Sequence, residues 1–252
     1  MRGVLTDQVP IGFEVDGDVV EVRVRSSNRA RAMRITIGPR RPLEVVVPTG
    51  TPEDRIRGFL RQKRSWIEEK RAWSQTVANR PSVLGLDRPD VVWLDGDPIR
   101  VELVNGTRAV ARTYGDNRLI VCGPAEQHPA ALERWYRREA RRRLAAIAER
   151  EADRLGVEYK SIGIRDPKTR WGSCSRAGHI SFSWRLVLAP TEIQRYVVVH
   201  ELCHLIAPNH SKSFWRTLEA AHPGWQEASR WLREYGHELH FYRLERAFER
   251  AG

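Results

Sequence analysis

The chain has 252 residues, 41% of them hydrophobic with nine Trp, so it can bury a sizeable core and is not a low-complexity disordered chain. No stretch reaches the roughly 18 consecutive apolar residues of a membrane helix, and residues 1–15 lack the apolar run and small-residue cleavage site of a secretion signal. A net charge of +11 admits a nucleic-acid partner, while three cysteines with no C-x-x-C pair argue against a disulfide framework and a cysteine-only zinc site, and place the chain in the cytoplasm.

The first half reads as strands with one inserted helix. Alternation over Val19–Val24 and Met33–Ile37, then Leu43–Val47 before a Pro-Thr-Gly turn, predicts three strands. Thr51-Pro52-Glu53-Asp54 has the form of an N-cap, Pro at the first helical position and acids in the first turn. The helix it opens is expected to reach about Ser74, burying Ile56, Phe59, Leu60, Trp66 and Ile67. A polar connection over 76–90 leads to two or three further strands near Val91–Leu94, Ile99–Val104 and Leu119–Cys122, with Asp-Gly and Asn-Gly turn signals between them. No internal repeat is evident.

From Pro129 a long helix runs to about Gly156, with Leu132, Trp135, Leu144 and Ile147 on one face. Its Arg-rich run, Arg134 to Arg143, reads as the solvated face and carries no aromatic interleaving of the kind that marks a nucleic-acid site. A short strand at Ser161–Arg165 and a loop containing Pro167 precede Trp171-Gly172-Ser173-Cys174. Ile180, Phe182, Trp184 and Leu186 then alternate with polar residues, predicting a half-buried strand that ends at Pro190. Thr191 and Gln194 have the T-x-x-Q spacing of a capping box.

The helix so opened carries His200-Glu201-Leu202-Cys203-His204. At about 100° per residue the two histidines lie about 40° apart on one face and can reach one ion at about 2.0–2.1 Å, a zinc–nitrogen length. Glu201 lies about 60° further round, beside the ion, where a general base for a water belongs. Val198, Val199, Leu202, Leu205 and Ile206 fill the opposite face. Pro208 stops the helix, and Asn209-His210-Ser211 returns a third imidazole after five intervening residues, leaving a fourth position open, as in a catalytic zinc site. Cys203 turns towards the apolar face and is expected to be buried, not a ligand. Tyr196, one turn before His200, is a candidate to line the site. His179, His222, His237 and His240 lack ligand spacing and read as surface or core residues.

Four blocks, Thr169–Ser175, Ile180–Leu186, Tyr196–Leu205 and Asn209–Trp215, resemble in order and spacing the YgjP-like family of metal-dependent hydrolases, relatives of the SprT-like zinc peptidases. The resemblance covers residues 165–215 most closely and extends in pattern from about residue 19. It implies His200, His204 and His210 as metal ligands and Glu201 as catalytic, and it places Arg170–Ser175 near the site, Arg170 being a candidate to steady an oxyanion. The family usually has Asn where this chain has Ser183, a difference expected to bear on substrate orientation.

These readings give an α+β protein. A strand-rich N-terminal half (1–125) with one inserted helix precedes a zincin-like catalytic half (126–252), whose H-E-x-x-H helix packs on a small sheet. The expected function is a metallopeptidase with one Zn2+ per chain, acting on a peptide or protein that the strand Ile180–Leu186 holds by strand addition. A metal-dependent nucleotide (phosphoanhydride) hydrolase and a nucleic-acid-associated protein with an accessory zinc site are the alternatives. The second follows from the basic charge, and the first is weakened by the lack of a phosphate-cradling Gly-rich loop.

Overall fold

This computed structural model describes residues 10–249 apart from 16, 39–40, 80–81, 116 and 168, so most of the segment scanned for a secretion signal lies outside the described residues. The chain divides between Pro81 and Ser82 into two units. In the first, β1 (Ile11–Val15), β2 (Asp18–Ser27), β3 (Arg34–Gly38) and β4 (Arg41–Pro48) form a sheet of order β1-β2-β4-β3. Pleating puts Ile11, Phe13, Val15, Val22, Val24, Val45 and Val47 into one core.

Two helices follow where one was expected, α1 (Glu53–Gln62) and α2 (Arg64–Asn79), because Lys63 leaves helical geometry at φ −102°, ψ 10°. Ile56, Leu60 and Ile67 are buried as expected, whereas Trp66, about 100° round from Ile67, is 40% exposed. Nor does Thr51 cap the helix. Its hydroxyl donates back to the Pro48 carbonyl at 2.7 Å, and Pro52 takes the cap position.

The second unit opens with β5 (Val91–Leu94), β6 (Asp97–Val104), β7 (Val110–Tyr114) and β8 (Arg118–Cys122), in the order β5-β6-β8-β7. This is the first sheet over again. An antiparallel hairpin comes first, its second strand pairs parallel with the fourth, and the third pairs antiparallel with the fourth. Helix follows both sheets, so the topology contains the repeat that was not evident in the sequence. Its trace is Asp-Gly-Asp at 16–18 and again at 95–97.

Helix α3 (His128–Leu155) packs on β7 and β8. One core therefore runs from Leu86 to Ala247, and the compact units part at 81/82, upstream of the change from strand to helix at 125/126. The arginines of the basic run are bonded within the fold. Arg134, Arg138 and Arg141 donate to the carbonyls of Ala109, Ala111 and Ile162, Arg137 and Arg142 pair with Glu133 and Glu139, and Arg143 pairs with Asp95.

A third sheet, β9 (Ser161–Arg165), β10 (Gly172–Cys174) and β11 (His179–Ser183), has the order β10-β11-β9. β11 ends at Ser183, short of the predicted Leu186. Trp184, Leu186, Val187 and Leu188 are all at most 2% exposed, a run of burial that strand alternation on one face cannot supply, and residues 184–188 wind into a 3-10 turn. Three helices complete the unit: α4 (Thr191–Ile206), α5 (Lys212–Ala221) and α6 (Trp225–Phe241). No helix among the described residues is long and apolar enough to cross a membrane.

Candidate metal centre

Helix α4 is seated before its metal face is reached. Gln194 forms no capping box. Its amide donates to Asp95 Oδ1 and to the Ala189 carbonyl, both at 2.8 Å, tying the first turn to the β5–β6 hairpin. In that hairpin Gly96 has φ 89° and approaches Pro190 so closely that a Cβ would lie 3.1 Å from its Cα. Val198, Val199, Leu202 and Cys203 are completely buried on the back of α4, so the thiol is a core group as expected, while Ile206 is 48% exposed.

On the other face His200 and His204 meet His210, and one ligand nitrogen of each lies within 4.8 Å of the others, the one cluster of this kind among the described residues. His200 Nε2 and His210 Nε2 are 3.1 Å apart. Nitrogens bonded tetrahedrally to one ion at 2.0–2.1 Å would be separated by about 3.3 Å, so the spacing fits a shared ion. His204 Nδ1 donates to the Ala207 carbonyl at 3.3 Å, which leaves its Nε2 lone pair free to bind metal. Burial first, and then the neighbouring His204 and His210, push His200 down to about 4, so its ring is neutral at pH 7, the form a metal requires. His200 Nδ1 is buried without a hydrogen-bond partner among the described residues. Packing orients this ring instead. Phe214, the opening aromatic of α5, stacks on His204 at 4.6 Å and meets His200 and His210 edge-on at 5.0 and 4.7 Å. Trp215 Nε1 donates to the His210 carbonyl at 3.1 Å and pins the return loop. These two aromatics are the site residues the sequence reading missed. They lie at the end of the Asn209–Trp215 block, but nothing in a one-dimensional pattern tells a ring under the ligands from a ring in the core.

Glu201 is 7% exposed beside the triad. Burial raises its carboxyl to about 7, against the opposing pull of Arg170 and a hydrogen bond from the Cys174 N–H. The sharpest steric feature is at Gly172, where a Cβ would lie 2.6 Å from both Glu201 Cγ and Oε1. Glycine is therefore needed for β10 to lie against the carboxylate.

The cleft over these groups has a volume of about 590 Å³, and both Tyr196 and Arg170 line it. The Tyr196 hydroxyl bonds to Ser229, and burial raises its pKa. Ser183 is not a lining residue. It is fully buried, its hydroxyl accepts from the Arg185 N–H at 3.3 Å, and it caps the 3-10 turn. β11 is also corrected as a substrate strand, since β10 and β9 occupy both its edges. The edge strand that lines the cleft is β10. Ser183 N–H bonds to the Trp171 carbonyl and Ser175 N–H to that of His179, so the backbone groups of Gly172 and Cys174 point away from β11. Of the four other histidines considered, His179 bonds to Ser161 Oγ at 2.8 Å, His222 is buried 3.5 Å from Glu192, and His240 stacks on Trp171.

Three converging imidazoles with a recessed carboxylate beside them, on a mixed α+β frame, have the makings of a hydrolytic metal centre. The chain belongs to the YgjP-like family, since the model of the YgjP-like metallopeptidase domain matches residues 31–235. Among solved structures, the metallopeptidase zymogen abylysin of Pyrococcus abyssi is similar at 29% identity and a TM-score of 0.34, over 37% of this chain and 95% of that one. No curated protein matches significantly. The chain is thus a hydrolase of the metallopeptidase class, and nothing supports the nucleotide or nucleic-acid alternatives.

Proposed function

We propose that this chain is a zinc-dependent peptidase in which His200, His204 and His210 hold one ion and Glu201 is the general base. The observation that carries the reading is the convergence of three ligand nitrogens within 4.8 Å, with the Glu201 carboxylate seated beside them against Gly172. Zinc held there would polarise the scissile carbonyl and acidify a water in the open position. Glu201 would accept a proton from a water as that water's oxygen adds to the carbonyl carbon. It returns the proton to the leaving amine as the C–N bond breaks. The Cys174 N–H holds the carboxylate in place for both transfers. The Tyr196 hydroxyl, kept protonated by its raised pKa, and the Arg170 guanidinium are the donors available to a developing oxyanion. An extended peptide would lie along the outer edge of β10 and meet the backbone of Gly172 and the Cys174 carbonyl, the Cys174 N–H being held by Glu201.

Glu201→Gln is expected to lower peptide hydrolysis by at least about a hundredfold, the lower range for loss of a general base, while zinc content stays at one per chain. Hydrolysis undiminished in this variant would overturn the assignment.

A further inference from the structure

Two arginines line the cleft without a salt-bridge partner, although Arg170 also attracts the recessed Glu201 carboxylate. Arg170, just ahead of β10, and Arg233, on α6, are both exposed and both line the cleft. Arg233 Nη1 donates to Ser229 Oγ at 3.4 Å, and Ser229 in turn bonds to Tyr196, which meets the ring of His200 edge-on at 5.9 Å. Among the described residues neither arginine has a carboxylate within ion-pair distance. Glu201 is the one carboxylate among the lining residues, and it is recessed. Trp171, Val197, Pro208 and Leu232 supply apolar wall between the polar groups.

A guanidinium offers a planar fork of donors that matches a carboxylate with two parallel bonds, and two such groups at one cleft make a positive field that attracts an anion. The same field opposes a cationic side chain. We propose that this cleft selects peptides with a carboxylate beside the scissile bond, either an acidic side chain or the C-terminal carboxylate of the peptide, recognised by Arg170 and Arg233. The proposal rests on the peptidase reading above and deepens it to a substrate class.

The test reads binding apart from turnover. Zinc-loaded E201Q protein is titrated, with fluorescence anisotropy as the readout, against labelled random decapeptide pools that have Glu, Gln or Lys fixed at the centre. Each pool is made with a free and with an amidated C-terminus. The Glu pool is expected to bind about tenfold more tightly than the Gln pool, with Lys weakest and the differences shrinking as salt is raised. R170Q and R233Q are each expected to reduce the preference, and R233K to retain more of it than R233Q. If the preference follows the free C-terminus and ignores the central residue, the recognised group is the peptide terminus and the proposal stands in that form. Equal binding of all pools, or a preference that survives in the R170Q/R233Q double variant, would overturn it. Wild-type protein that cleaves none of the pools would refute the peptidase reading, and the binding order would still decide the selectivity of the cleft.

Discussion

Glu201 works between two constraints, the absent side chain of Gly172 on one side and the imidazole cluster on the other. Gly172→Ala would place a methyl 2.6 Å from the carboxylate, and since β10 is held by β11, it is the carboxylate that moves. A displacement of this size is expected to cost on the order of a hundredfold in kcat while zinc content is unchanged, checked by steady-state kinetics beside metal analysis. Phe214 tests the opposite wall. Removing this completely buried ring leaves a cavity under all three histidines, so Phe214→Ala should destabilise by about 3–5 kcal/mol in urea unfolding and weaken zinc binding as well. The convergence of His200 and His204 was legible from spacing because a helix converts a separation of four into a shared face. The role of Phe214 depends on how the turn after α4 folds α5 back onto it, and that of Gly172 on the approach of β10 to α4, neither of which local periodicity encodes.

At the scale of elements, α4 is braced from behind by a charged knot. Glu151 on α3 is 2% exposed and bonds to Arg195 on α4 and to Arg154, which also donates to the Ala221 carbonyl that closes α5. Burial alone would raise this carboxyl, but the hydrogen bonds and charges of the two arginines outweigh it and lower the pKa from 4.5 to about 2. A depressed folded-state value means that the ionised form supports the fold. Its contribution, on the order of 3 kcal/mol, is complete above pH 4.5 and is lost as pH falls towards 2. Urea titrations across that window should show stability falling with acid in the wild type and a flatter profile in Glu151→Gln, which is itself destabilised at pH 7 because Arg195 and Arg154 lose a buried partner. Helix and strand identities were largely readable from period. The ends were not, because tertiary partners claimed the residues that signalled them. Gln194 reaches Asp95 in place of its own helix end, and Ser183 stops β11 by capping a turn.

The whole molecule consists of two units, each with its own core, the first drawn from residues 11–67 and the second from 86–247. Residues 82–252 alone are therefore expected to fold and bind one zinc, observable as a cooperative thermal transition with near-ultraviolet circular dichroism and metal stoichiometry intact. The repeated sheet was hard to read because the two copies share an order of strands but little beyond the Asp-Gly-Asp turn in sequence. That turn has diverged in use. A Cβ on Gly17 would meet nothing within 4 Å, whereas Gly96 lies against Pro190, Asp95 N–H donates to the Val187 carbonyl, and its carboxylate holds Gln194 from 99 residues away in the chain. A long-range clasp of this kind has a kinetic consequence. The loop closes only after the hairpin exists, so the start of α4 is expected to dock late in refolding. Pulsed hydrogen exchange should find the amides of β5 and β6 protected before those of α4.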